Sequence, residues 1–152
     1  MTIHIPVLLK ETVELLDIQP NDIVLDGTMG FGGHASEIVK KLETGQYIGL
    51  DKDPKAIKHC QELFKDNTNV MIAQTNYANF PDILAKIKTT KVSKMLLDLG
   101  ISSYQLDSSG RGFSFLKDEP LDMRMNPGSE LTAEKIINLY SEENLIKIFY
   151  EF

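Results

Sequence analysis

The chain has 152 residues, a length that suggests one domain with a sizeable core. With 42% hydrophobic and 25% charged residues, the composition excludes collagen-like, low-complexity and disordered classes, and a single cysteine, Cys60, excludes a disulfide scaffold or a multi-cysteine zinc site within the chain. The net charge of −6 lacks the basic footprint usual for a nucleic-acid binder, and both arginines, Arg111 and Arg124, lie after residue 100.

The run Ile3 to Leu9 contains Pro6, lacks a basic flank and leads to no small-residue cleavage site, so it does not read as a signal peptide. No apolar run is long enough for a membrane helix, and the expected compartment is the cytoplasm. Ile23-Val24-Leu25 predicts a buried strand ending at Asp26. His34 to Leu42 reads as a helix with Ile38, Val39 and Leu42 on one face, stopped by Gly45. Tyr47 to Leu50 is the second strand, ending at Asp51. Pro54 opens a helix to about Phe64, with Ala56, Ile57, Cys60, Leu63 and Phe64 as its apolar face. Val70 to Ala73 is a third strand, Ile83, Leu84 and Ile87 mark a third helix, and Met95-Leu96-Leu97 is a fourth strand ending at Asp98.

Strands alternating with helices, each strand a continuous apolar run, imply a parallel sheet covered on both faces. The fold class is therefore α/β: a doubly wound, Rossmann-like sheet with ligands at the carboxyl ends of its strands. Residues 1–100 carry that pattern. Residues 101–152 differ, with an aperiodic tract rich in Gly, Ser, Asp and Pro followed by helices near 133–140 and from about 142 onward. Leu145, Ile148, Phe149 and Phe152 continue an apolar helical face to the last residue, which predicts a chain cut inside a longer protein.

Asp26-Gly27-Thr28-Met29-Gly30-Phe31-Gly32-Gly33-His34 follows a strand and opens a helix. Its glycines permit close backbone approach to a ligand, and the helix start offers free N–H donors. The spacing is D-x-x-x-G-x-G, the loop that S-adenosylmethionine enzymes place under the cofactor, and not G-x-G-x-x-G. Asp51, 25 residues beyond Asp26, stands where an acid accepts hydrogen bonds from a ribose diol. Together they favour an adenosine ligand, either NAD or S-adenosylmethionine. Asp98 ends a strand expected beside the first, facing the same pocket. His34 is a ligand contact, a general base or a helix-start residue, while His4 and His59 read as structural or exposed. Metal-ligand spacing is absent from the three histidines and one cysteine. Cys60 reads as core. Arg111-Gly112-Phe113-Ser114-Phe115 and Leu121-Asp122-Met123-Arg124-Met125 read first as a loop packing its apolar residues, with RNA contact a weaker alternative.

These segments resemble the MraW/RsmH family of S-adenosylmethionine-dependent 16S rRNA cytosine-N4 methyltransferases. The resemblance rests on His4 to Glu11, Asp26 to His34, Asp51-Lys52-Asp53-Pro54, Leu97 to Ser103 with Gln105-Leu106-Asp107, Arg111 to Phe115 and Leu121 to Met125. It implies that Gly32, Gly33 and His34 contact the methionine end of the cofactor and that Asp51 holds the ribose. Tyr77, at a position usually Phe, would pack beside the adenine; Asp98 and Gln105 would complete the site. Tyr104 stands where the family usually has Pro. The resemblance further implies a class I methyltransferase sheet present in part, a truncated helical substrate-recognition insertion starting in 101–152, and the small ribosomal subunit as partner. Asp98 is the expected catalytic group, accepting a hydrogen bond from the cytosine amine. The alternatives are an NAD-dependent oxidoreductase and a non-catalytic fragment that binds cofactor or RNA.

Overall fold

A computed structural model of the chain describes residues 6–152. The chain divides after Gly100 into two compact units. The first holds a four-stranded sheet formed by β1 (Ile23–Asp26), β2 (Gln46–Asp51), β3 (Val70–Gln74) and β4 (Lys94–Leu96), in the order β3-β2-β1-β4. All three pairings are parallel, with Asp26 opposite Gly49 on one side and Leu96 on the other. Parallel neighbours need crossovers, supplied by α2 (Gly33–Val39), α3 (Pro54–Leu63) and α4 (Phe80–Lys86). Another helix, α1 (Leu9–Leu15), precedes β1.

Side chains alternate across each strand, so each strand feeds two cores. Val24 and Tyr47 join Val13, Ile38, Ile57, Cys60 and Phe64 on the face of α1, α2 and α3. Leu25, Ile48 and Leu50 join Ile83 and Leu84 on the face of α4. The doubly wound, Rossmann-like fold expected of the sequence is the fold observed.

Boundaries differ where tertiary contacts intervene. The fourth strand stops at Leu96, and both Leu97 and Asp98 lie past it. The first crossover helix ends at Val39 and not at Leu42. Gly45 is no helix stop: the amides of Glu43, Thr44 and Gly45 all donate to the Pro20 carbonyl, and a Cβ on Gly45 would lie 2.2 Å from the Asp22 carbonyl oxygen. Leu63, expected on the buried face of α3, is exposed. Pro54 is the first residue of α3, and the Asp53 carboxylate caps it by accepting the Lys55 amide at 2.9 Å. His4 lies outside the described residues, and His59 is exposed with its ring 5.6 Å from Phe31.

The second unit holds α5 (Ser103–Asp107), α6 (Ala133–Leu139) and α7 (Glu142–Glu151). Ser102, Thr132 and Ser141 cap them through side-chain oxygens. Arg111 organises the intervening loop. It is buried, its Nη1 donates to the carbonyls of Arg124 and Met125 at 2.8 and 2.6 Å, and its guanidinium lies 5.6 Å from the centre of the Phe113 ring. Arg124 pairs with Asp122, holding that carboxyl below its usual range. Both arginines serve the loop, yet Phe115, Leu121 and Met123 are exposed while Phe113 and Met125 are half-buried, so the expected packing of the tract's apolar residues is met only in part. The apolar face expected along α7 is only partly covered: Leu145 and Ile148 are half-buried, while Phe149 and Phe152 are exposed.

Candidate active site

The segment after β1 turns over the carboxyl edge of the sheet, and backbone bonds fix its path. Gly27 donates to the Leu96 carbonyl and Met29 to the Leu50 carbonyl, each at 3.0 Å, so the turn keeps hold of both neighbouring strands. Gly30 and Gly32 take positive φ angles of 54° and 83°, which glycine adopts without steric cost. Gly33 answers to packing: a Cβ there would lie 2.3 Å from Cγ of Pro6. Pro6 thus rests on the start of α2, a need that the sequence alone left hidden behind the ligand reading.

Three carboxylates gather at this edge. Asp26 is 1% exposed, and burial pushes its carboxyl up to about 6, with the charges of Asp51 and Asp98 adding in the same direction. Asp51 ends β2. Its Oδ2 accepts the Gly30 amide and its Oδ1 the Asp53 amide, both at 2.8 Å. Asp98 lies two residues beyond β4 with a half-exposed side chain, and its own amide donates to Thr28 Oγ1 at 2.7 Å. The acids picked out in the sequence are therefore brought together, and the turn between Asp26 and His34 is bonded to all three.

His34 is the second residue of α2 and is buried. Burial lowers its pKa, opposed by the Asp98 charge, so the imidazole is neutral at neutral pH. Its Nδ1 lies 3.9 Å from Asp98 Oδ2, too far for a hydrogen bond. Its Nε2 is the buried side-chain polar atom with no hydrogen-bond partner among the described residues. Tyr77 opens the short 3-10 helix Tyr77–Asn79 after β3, is 40% exposed, and approaches Gly27 from across the turn. Gln105 is buried in the second unit. Its Oε1 accepts the Ser102 amide at 2.8 Å and closes the start of α5, an order that Tyr104 shares despite the missing proline.

Cys60 lies in the core, its thiol contacting the Gly30 carbonyl at 3.3 Å and pushed by burial to about 12. It is no nucleophile at neutral pH. Two contributors escaped the reading of the sequence: Tyr47 and Thr28. Tyr47 is wholly buried, and its phenol donates to Asp26 Oδ2 at 2.7 Å. One polar group within an otherwise apolar strand was the available signal.

A parallel sheet in this order, with a glycine turn and strand-end acids on its carboxyl edge, defines a Rossmann-like fold of the class I methyltransferase type. Residues 1–152 match the MraW methylase family throughout, and the chain belongs to that family. It is 47% identical over 150 residues to the ribosomal RNA small subunit methyltransferase H of Clostridium botulinum strain Kyoto, covering 98% of this chain and 48% of that protein. The enzyme of the same name from Mycoplasmopsis agalactiae is 46% identical over 150 residues, covering 98% and 50%. The chain thus spans about half the length of the curated relatives it matches. Among solved structures, that of NSun6 from Pyrococcus horikoshii with SFG is 26% identical with a TM-score of 0.52, covering 62% of this chain and 24% of that one. Family membership favours the methylase over the oxidoreductase reading.

Proposed function

We propose that the carboxyl edge of the sheet binds S-adenosylmethionine and serves methyl transfer to the N4 amine of a cytosine in 16S rRNA of the small ribosomal subunit, in the cytoplasm. One observation carries the reading: the glycine turn is bonded to Asp51 through Gly30 and to Asp98 through Thr28, which gathers at one sheet edge the residue types a nucleoside cofactor needs. The orphaned Nε2 of His34 fits a polar ligand there, because buried polar atoms are nearly always paired.

In this reading Gly32, Gly33 and His34 hold the methionine end. Asp51 keeps acceptor capacity for ribose hydroxyls beyond its two amide bonds. Tyr77 offers its exposed ring to the adenine. S-adenosylmethionine supplies an activated methyl group on a positively charged sulfur, so the protein contributes mainly alignment. Asp98 accepts a hydrogen bond from the cytosine N4–H and thereby localises the nitrogen lone pair that the ring otherwise delocalises. The base reaches the site unpaired or flipped. Residues 1–100 form the cofactor-binding part, and residues 101–152 begin a helical region that meets the substrate.

Calorimetry with S-adenosylhomocysteine and with NAD tests the cofactor: the first binds, and binding of NAD alone overturns the reading. For turnover, the chain is joined to the remaining half of the Clostridium botulinum relative and given small subunits lacking the modification. Asp98→Ala in that chimera lowers transfer to cytosine N4 by at least about 100-fold. Unchanged affinity and turnover would remove Asp98 from both roles. The chain as given, half the length of its relatives, is expected to turn over slowly or not at all.

A further inference from the structure

We propose that Tyr47 and Thr28 are positioning residues of this site: the buried phenol fixes the Asp26 carboxylate, and the Thr28 hydroxyl carries that order to Asp98. The inference rests on the cofactor reading above for its binding readout only.

The geometry is a continuous relay. Tyr47 pairs with Val24 in the register of β1 and β2, so its ring lies on the same sheet face as Val24 and as Asp26, two residues further on. The phenol donates to Asp26 Oδ2 at 2.7 Å, and Asp26 Oδ1 accepts the Thr28 amide at 3.0 Å. Thr28 Oγ1 then accepts the Asp98 amide at 2.7 Å, across 70 residues of sequence. A phenol and a carboxylate buried in an apolar core are costly unless paired, and here each pairs with the other. The second carboxylate oxygen is thereby aimed at the turn. With the Gly30 amide on Asp51, the relay ties the turn to the acid that ends β2 and the acid that follows β4.

The groups facing Asp26 are Tyr47 and Asp51 from β2, Cys60 from α3, Thr28 from the turn and Asp98 beyond β4. His34 faces Asp98 and titrates below its ordinary value. The phenol and the Thr28 amide favour ionised Asp26, while burial and the two neighbouring carboxylates oppose it. Loss of the phenol therefore moves Asp26 titration to higher pH, and the ionised form is the stronger acceptor for the Thr28 amide that orders the turn.

The test combines calorimetry with S-adenosylhomocysteine from pH 5 to 8 with amide hydrogen exchange in the unliganded chain. Wild-type affinity falls as pH drops through about 6. In Tyr47→Phe the fall begins about one pH unit higher, the equivalent of one hydrogen bond to a charged group. Thr28→Val exposes the Asp98 amide, whose exchange rises at least about tenfold, and weakens binding at every pH without moving the midpoint. Thr28→Ser restores both. An unmoved midpoint in Tyr47→Phe, or an Asp98 amide as protected in Thr28→Val as in wild type, overturns the proposal. Should Tyr47→Phe not fold, the comparison of Thr28→Val with Thr28→Ser decides. Wild-type protein that never binds S-adenosylhomocysteine, while Thr28→Val and Thr28→Ser show the expected exchange rates, overturns the cofactor reading and upholds the link from Thr28 to Asp98.

Discussion

Asp26→Asn isolates the cost of the buried carboxylate. The side chain is 1% exposed, and its ordinary value of 3.8 is pushed up to about 6, chiefly by burial. Between those values the folded chain holds a proton that the unfolded chain has released, so stability falls as pH rises through that window and is level above it. The difference amounts to about 2.5 kcal/mol between pH 4 and pH 7.5. Asn keeps the shape and both partners: its oxygen accepts the Thr28 amide and its NH2 donates to the Tyr47 oxygen. It does not titrate. Urea unfolding at the two pH values, followed by far-ultraviolet circular dichroism, therefore shows the variant gaining on wild type by about 2.5 kcal/mol as pH rises. Titrations shared by both proteins cancel in that comparison. A gap that changes by less than about 1 kcal/mol would refute the claim that burial of this charge opposes folding.

Gly33→Ala costs about 1–3 kcal/mol, because the new methyl meets Pro6. Pro6→Ala in the same chain returns part of the loss, a coupling read by a double-mutant cycle in urea. Arg111→Lys gives up the forked contact with two carbonyls. The amides of Gly112 and Met123, held within the same loop, then exchange at least about tenfold faster. Cys60, with its thiol at about 12 against an ordinary 9.0, reacts with iodoacetamide at pH 8 about a thousandfold more slowly in the folded than in the unfolded chain. Comparable rates would place the thiol outside the core.

What the sequence disclosed, and what it hid, follows the range of the interactions involved. Apolar runs such as Ile23 to Leu25 and Tyr47 to Leu50 are local signals of buried strands, and the turn from Asp26 to His34 carries its glycines in plain view. The acids at strand ends were legible because position in the strand–helix repeat predicts which edge they share. The end of β4 was not legible: pairing with β1 stops where Asp26 meets Leu96, and the Thr28 hydroxyl then captures the Asp98 amide. Nothing near residue 98 encodes a partner 70 residues away. α1 was missed for a different reason. Leu9, Val13 and Leu16 have helical spacing and pack on the core, but Pro6 drew attention to the preceding residues. Gly33 shows the converse hazard, since a motif can match a ligand loop while one of its glycines is required by packing against Pro6.

Arg111 and Tyr47 together show why residue type underdetermines role. An arginine among aromatics invites a phosphate, yet its guanidinium is spent on the carbonyls of Arg124 and Met125. A tyrosine in an aliphatic strand passes as one more apolar residue, yet its phenol meets the buried acid of the candidate site. In both cases the polar atoms settle the assignment, because the cost of burying them unpaired exceeds what packing the remainder of the side chain returns. Both polar groups have partners; the buried side-chain polar atom without one among the described residues is His34 Nε2, which leaves a hydrogen bond open beside Asp98.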